Sequence, residues 1–95
     1  MARAADAASE LLKSLANRNR LLILCALVKE ERSVGQLAEM LGLRDSTVSQ
    51  HLALLRKDGL VAPRRAGQTI WYSISSPAAG KVLAVLYEIY CQTDR

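Results

Sequence analysis

Hydrophobic positions along the chain fall into five helical patterns and one alternating stretch. Residues 5–16 carry Ala8, Leu11, Leu12 and Leu15 at helical spacing, with Glu10, Lys13 and Ser14 between them. Asn17 is placed to cap a second helix running to about Glu31. Its middle, Leu21 to Val28, is apolar on every face, a pattern shared by buried strands and buried helices. The Leu and Ala content and the charged ends (Arg18, Arg20, Lys29, Glu30 and Glu31) favour a helix at the centre of the domain. Ser33 and Gln36 have the spacing of a capping box and open a third helix with Leu37, Met40 and Leu41 facing inward. Gly42 can take the left-handed backbone that stops it. A fourth helix begins near Asp45 and buries Val48, Leu52 and Leu55, leaving Ser46, Ser49, Gln50 and Ala53 on the opposite side. Asp58-Gly59 ends it. Leu60–Ala62 and Thr69–Ile74 read as two strands with Arg65–Gln68 at the hairpin tip. A hairpin of that kind must pack on the helices to persist. Ser75-Ser76-Pro77 opens a final helix over about 78–91.

That final helix is wider in its apolar face than one core requires. At about 100° per residue, its apolar positions from Ala84 and Val85 through Ile89, Val82, Leu86, Tyr90, Leu83, Tyr87 and Cys91 cover about 260°. A core-facing helix needs only about 100° or somewhat more. The surplus predicts a two-fold homodimer built on residues 78–91, with the Ala-rich helix 5–16 beside them. The pattern as a whole predicts one domain over residues 1–95 that is mostly α with a two-stranded β-hairpin. Its order is α-α-α-α-β-β-α, a winged helix-turn-helix with the helix-turn-helix at 34–57 and the wing at 60–74.

Composition supports this reading. The chain has 95 residues, about half of them apolar and none of them Phe, so Leu, Ala, Val and Ile must fill the core. Net charge is +4. Between Arg44 and Gly67 lie Arg44, Arg56, Lys57, Arg64 and Arg65 against only Asp45 and Asp58. The longest apolar run, Leu21 to Val28, is far short of the roughly 20 residues of a spanning helix, so no membrane partner is expected. The first residues lack the apolar run of a signal peptide, which predicts a cytoplasmic protein. A permanent structural disulfide is not expected there.

A helix with small polar residues at its start, followed by a basic wing, is suited to a DNA major groove. Ser46, Thr47, Ser49 and Gln50 are the candidates for base contacts, since Gln bonds bidentately to adenine and Ser and Thr both donate and accept. Arg64, Arg65 and Gln68 in the hairpin, with Arg56 and Lys57 at the end of the reading helix, are the candidates for phosphates and the minor groove. The expected partner is double-stranded operator DNA, palindromic to match the dimer. His51, the only histidine, and the pair Trp71 and Tyr72 are read as packing residues. One His and no paired carboxylates leave little for acid–base catalysis, so no enzyme and no cofactor are expected.

Cys25, midway along the second helix, and Cys91, the last apolar position of the final helix, admit several readings. They can be two small buried hydrophobes. They lack the four ligands of a closed zinc site, so no such metal centre is expected. Two thiolates suffice for Cu(I) or for reversible thiol chemistry.

The runs Leu15-Ala16-Asn17-Arg18-Asn19-Arg20-Leu21 and Ser46-Thr47-Val48-Ser49-Gln50-His51-Leu52, with the exit Asp58-Gly59-Leu60-Val61, resemble the ArsR/SmtB family of winged-helix repressors. The resemblance covers nearly the whole chain and implies a homodimer that leaves its operator when an inducer binds. The arsenic-, cadmium- and lead-sensing type carries cysteines at the start of the third helix, where this chain has Glu31-Arg32-Ser33-Val34. The zinc and nickel type places Asp and His on the last helix, which here offers only Glu88. Leu24-Cys25-Ala26-Leu27 and Ile89-Tyr90-Cys91 are similar to the BigR/SqrR/HlyU branch. That similarity implies a redox-sensing role for Cys25 and Cys91, with a reactive sulfur species or an oxidant as inducer. A Cu(I)- or other thiophilic-metal-responsive repressor and a winged-helix protein-interaction adaptor are the alternatives. Arg44-Asp45 departs from the family pattern of Ser or Thr followed by Gln.

Overall fold

In the computed structural model, which describes residues 1–91, the elements expected from the sequence are present with one addition. The chain runs α1 (Ala2–Leu15), α2 (Arg18–Leu27), β1 (Arg32–Ser33), α3 (Val34–Leu41), α4 (Asp45–Lys57), β2 (Val61–Ala66), β3 (Thr69–Ile74) and α5 (Pro77–Tyr90). Most boundaries are set by local hydrogen bonds. Asn17 Oδ1 accepts from the Arg20 amide at 3.1 Å and opens α2. Ser33 and Gln36 form the reciprocal capping box of α3, each side chain accepting from the other residue's amide. Ser76 Oγ accepts from the Ala79 amide at 3.1 Å, and Pro77 occupies the first turn of α5, where no amide is needed. Gly42 ends α3 at φ 66°, a conformation that would cost a residue with a Cβ roughly 1–2 kcal/mol.

Several expectations are corrected. Helix α1 begins at Ala2 rather than residue 5. Helix α2 stops at Leu27 instead of continuing to Glu31. The chain has to leave the helix there because Arg32 and Ser33 pair with Tyr72 and Trp71, making a third strand where only a hairpin was expected. The sheet order is β1-β3-β2, antiparallel throughout. Strand β2 runs on through Pro63 to Ala66, so the hairpin tip is only Gly67-Gln68. Pro63 is tolerated because β2 is an edge strand. Met40 faces outward, and Ala38 takes the inward place beside Leu37. Helix α2 is buried along Ile23, Leu24 and Leu27, while Leu21, Leu22, Cys25 and Ala26 are only half-buried. Within a single chain it is therefore not enclosed on every face. Helix α5 spans Pro77–Tyr90, shifted by one residue from the expected range, and Gln92 lies outside the described residues.

Ile23, Leu24, Leu37, Val48, Leu52, Leu55 and Leu83 are fully buried, and they join α2, α3, α4 and α5 in one core. Each such side chain contributes about 1.5–3 kcal/mol by leaving water. Three of them, Val48, Leu52 and Leu55, form the inner stripe of α4, so the opposite side of that helix is held facing out. Leu60 and Val61 bury the base of the wing on the same core. Helix α1 is attached by Leu15 and by Ser14, whose hydroxyl donates to Asp58 Oδ2 at 2.9 Å. Its Leu12 stays exposed. On α5 only Ala79 and Leu83 are buried, whereas Val85 and Ile89 are 55% and 53% exposed.

Candidate functional site

Two surfaces collect the residues singled out from the sequence. The first is the outer side of α4 with the wing beside it. Ser46, Ser49 and Gln50 are exposed on the first turns of α4, and Thr47 is half-buried between them. Arg44 occupies the position before the helix and makes no side-chain cap. Asp45 instead puts a carboxylate in the first turn, where the helix dipole favours it. Arg56 and Lys57 are exposed in the last turn, and Arg64, Arg65 and Gln68 are exposed along the wing.

The wing arginines have different surroundings. Arg65 lines a cleft of about 260 Å³ with Arg56, Pro63, Ile70 and Tyr72. Arg64 is paired with Glu31, its Nε donating to Oε2 at 3.1 Å and its Nη2 to Oε1. The Arg64 guanidinium holds the Glu31 carboxyl below the usual carboxylate range. Glu31 stands just before β1, on a segment held elsewhere as well. Arg32 Nε donates to the Ala26 carbonyl at 3.3 Å, and Lys29 Nζ lies 5.3 Å from the centre of the Tyr87 ring.

His51 on α4 is bound to α2: its Nδ1 accepts from Arg20 Nε at 3.4 Å. Burial, with a further contribution from the Arg20 charge, pushes the imidazole pKa below its ordinary value. The neutral ring is the form the fold retains, and the unfolded chain takes up the proton first. The contribution to stability is therefore full above about pH 6.5 and is lost as pH falls through that range. Thermal melts are expected to shift down between about pH 7.5 and 5.5, and the His51→Gln variant should lose part of that shift. An unchanged pH dependence in the variant would exclude this role.

The second surface is a cleft of about 530 Å³ lined by Cys25 and Cys91 with Ala16, Asn17, Arg18, Leu21 and Leu22. The two cysteines, 66 positions apart in sequence, thus open onto one mostly apolar space where the end of α5 passes α2. Both are free thiols, Cys25 half-buried and Cys91 exposed. Burial pushes the Cys25 thiol up, and the proximity of Cys91 adds to the effect. Among the described residues no three His, Cys, Asp or Glu side chains cluster as a metal site would require. No helix among them is long and apolar enough to cross a membrane. Trp71 and Tyr72 are both half-buried, and Tyr72 packs against the core.

Sequence reasoning missed Glu31 and Arg20, whose importance depends on partners 33 and 31 residues away. It also missed the division between Arg64 and Arg65, although alternation along a strand could have shown it.

Five helices on a small sheet, one of them burying a stripe and displaying polar residues, with a basic hairpin beside it, define a winged helix-turn-helix regulator. Residues 17–62 match the family described as bacterial regulatory protein, arsR family. The transcriptional activator HlyU of Vibrio cholerae is 47% identical over 85 residues, covering 90% of this chain and 79% of that protein. Its reduced form, as a solved structure, superposes with a TM-score of 0.93 at 45% identity, over 96% of each chain. The biofilm growth-associated repressor of Xylella fastidiosa is 36% identical over all 95 residues, or 83% of that protein. A homodimeric winged helix-turn-helix DNA-binding domain from Mycobacterium bovis, a possible ArsR-family regulator, gives a TM-score of 0.80 at 32% identity, covering 97% of this chain and 85% of that one. The chain belongs to the ArsR family of bacterial transcriptional regulators.

Proposed function

We propose that this protein is a homodimeric, operator-binding repressor that releases DNA when Cys25 and Cys91 react with a hydropersulfide or another thiol oxidant. The observation that carries the sensing part is the shared cleft, which brings two free thiols from distant parts of the chain together. The DNA-binding part rests on the exposed Ser46, Thr47, Ser49 and Gln50 face of α4 and the basic wing. The dimer rests on the uncovered apolar side of α5 and on the homodimeric relative of similar fold. A cleft of about 580 Å³ beside α1, lined partly by Ala7, Ala8, Leu11 and Ala78, extends the surface that a second copy would cover.

Exposed Cys91 meets the donor first. Its thiolate attacks the outer sulfur of R–S–SH, forming Cys91–S–SH and expelling R–S⁻, which takes a proton to become the thiol. The Cys25 sulfur then attacks the Cys91 sulfur, closing Cys25–S–S–Cys91 and releasing hydrosulfide, while the Cys25 proton leaves with it as H₂S. The two cysteines are oxidised and the persulfide is reduced. A direct bridge requires Cα atoms within about 7 Å, and inserted sulfur relaxes that limit. Either bridge ties α2 to α5 and alters the separation of the two reading helices in the dimer.

Treating the reduced protein with glutathione hydropersulfide and mapping peptides by mass spectrometry tests the chemistry. Cross-linked Cys25 and Cys91 peptides are expected, together with loss of DNA binding. Unmodified cysteines, or DNA release produced by Cu(I) on the reduced protein and not by the persulfide, would favour a metal-responsive repressor instead.

A further inference from the structure

The wing carries two adjacent arginines, and strand geometry sends them to opposite faces of the sheet. Pro63, Arg65, Ile70 and Tyr72 share one face and form a cleft with Arg56 of α4. No acidic residue lines that cleft, so two arginines border a space with no counter-charge of the protein's own. Arg64 stands on the other face, opposite Trp71, which on its far side pairs with Ser33. This is the outermost pair at which β3 is still flanked by β1. Beyond it, Arg65 to Ile70 have only each other as strand partners. The bidentate pair from Arg64 to Glu31 therefore spans the sheet where the anchored base of the wing meets its free end. Glu31 is the fixed partner, because the adjoining Arg32 is held by the Ala26 carbonyl, by Glu30 at 3.0 Å and by the pairing with Tyr72.

We infer that the two wing arginines have separate duties. Arg65 and Arg56 together grip one operator-backbone phosphate between α4 and the wing, while Arg64 is a positioning residue whose pair with Glu31 sets the angle of the wing. This rests on the DNA-binding reading above. A phosphate in the cleft neutralises the two guanidinium groups and fixes the wing against the reading helix, whereas the Arg64 charge is already engaged by Glu31. An exposed ion pair is a weak restraint, so its loss has a small effect on affinity.

Salt dependence separates a phosphate contact from a positioning one. The probe is a fluorescein-labelled duplex selected from random-sequence DNA by the reduced wild-type protein, titrated between about 50 and 200 mM NaCl. Arg65→Ala and the double variant R56A/R65A are expected to flatten the slope of log K against log salt, by about 0.9 for each phosphate no longer neutralised. Arg64→Ala should keep the wild-type slope and weaken binding by about two- to fivefold at every salt concentration. Glu31→Gln should reproduce that loss, and the pair R64A/E31Q should bind no more weakly than either alone. The exchanged pair Arg64→Glu with Glu31→Arg should restore affinity, which a DNA contact by residue 64 would forbid. Flattening of the slope by Arg64→Ala, or tighter binding by Glu31→Gln, overturns the positioning role. An unchanged slope in R56A/R65A overturns the phosphate grip. If the wild-type protein selects no sequence at all, it is the DNA-binding reading that fails.

Discussion

Cys25→Ser is expected to bind operator DNA as the reduced wild-type protein does and to remain bound after hydropersulfide treatment. The substitution is close to isosteric, and its hydroxyl can bond to the carbonyl one turn back on the half-buried face of α2. Exposed Cys91 can still take up sulfur in this variant, but nothing remains for it to close upon. Helices α2 and α5 then stay unlinked. In the wild-type protein the proposed bridge, coupled to the DNA site by roughly 1–3 kcal/mol, is expected to weaken binding 5- to 150-fold. The variant should reduce that ratio to one. Fluorescence anisotropy before and after treatment, with mass spectrometry to confirm that Cys91 has reacted, makes the measurement. Release of DNA by the treated variant would mean that modification of Cys91 alone is the signal and that the cleft has no bridging role.

Val85→Asp should separate the dimer and cost more affinity than any single change on the reading helix. Val85 is 55% exposed in one chain, so the substitution leaves the core of that chain intact. In a two-fold interface through α5 it brings two unpaired carboxylates into the seam, which costs several kcal/mol in desolvation and mutual repulsion. Each reading helix would then bind its half-site alone. Without the second half-site, affinity falls by about 10²- to 10⁴-fold. Sedimentation should show a monomer with unchanged helicity, and anisotropy should show the collapse in binding. A variant that remains dimeric and keeps its affinity would place the interface elsewhere.

The helices and the reading face were legible because each rests on short-range chemistry. Asn17, Ser33 with Gln36, Gly42 and Ser76 are local stop and start signals, and all act as such here. The stripe of Val48, Leu52 and Leu55 follows from helical periodicity alone and is fully buried. Pairings between distant segments were not legible. A two-residue strand such as Arg32–Ser33 has no periodicity to detect, and its partner lies some 40 positions away. The apolar run of α2 concealed where the helix ends, because hydrophobicity continues to Val28 while the backbone leaves at Leu27. Met40 misled because a helix of eight residues gives its last turn little packing to constrain it. The cysteine pair is intermediate. The sequence supplied both residues and several chemistries, and the fold supplied the common cleft that makes bridging chemistry the one to test.

Ser33 belongs to two structures at once. It is paired with Trp71 as the last residue of β1, and its hydroxyl caps α3. Surface connections usually tolerate changes in length. The three residues that lead into α3 do not have that latitude. An extra residue between Glu31 and Ser33 would displace either the strand register or the seating of Glu31 against Arg64. Glu31 to Ser33 therefore act as a ruler of fixed length. Functional relatives should vary there by substitution and not by insertion or deletion.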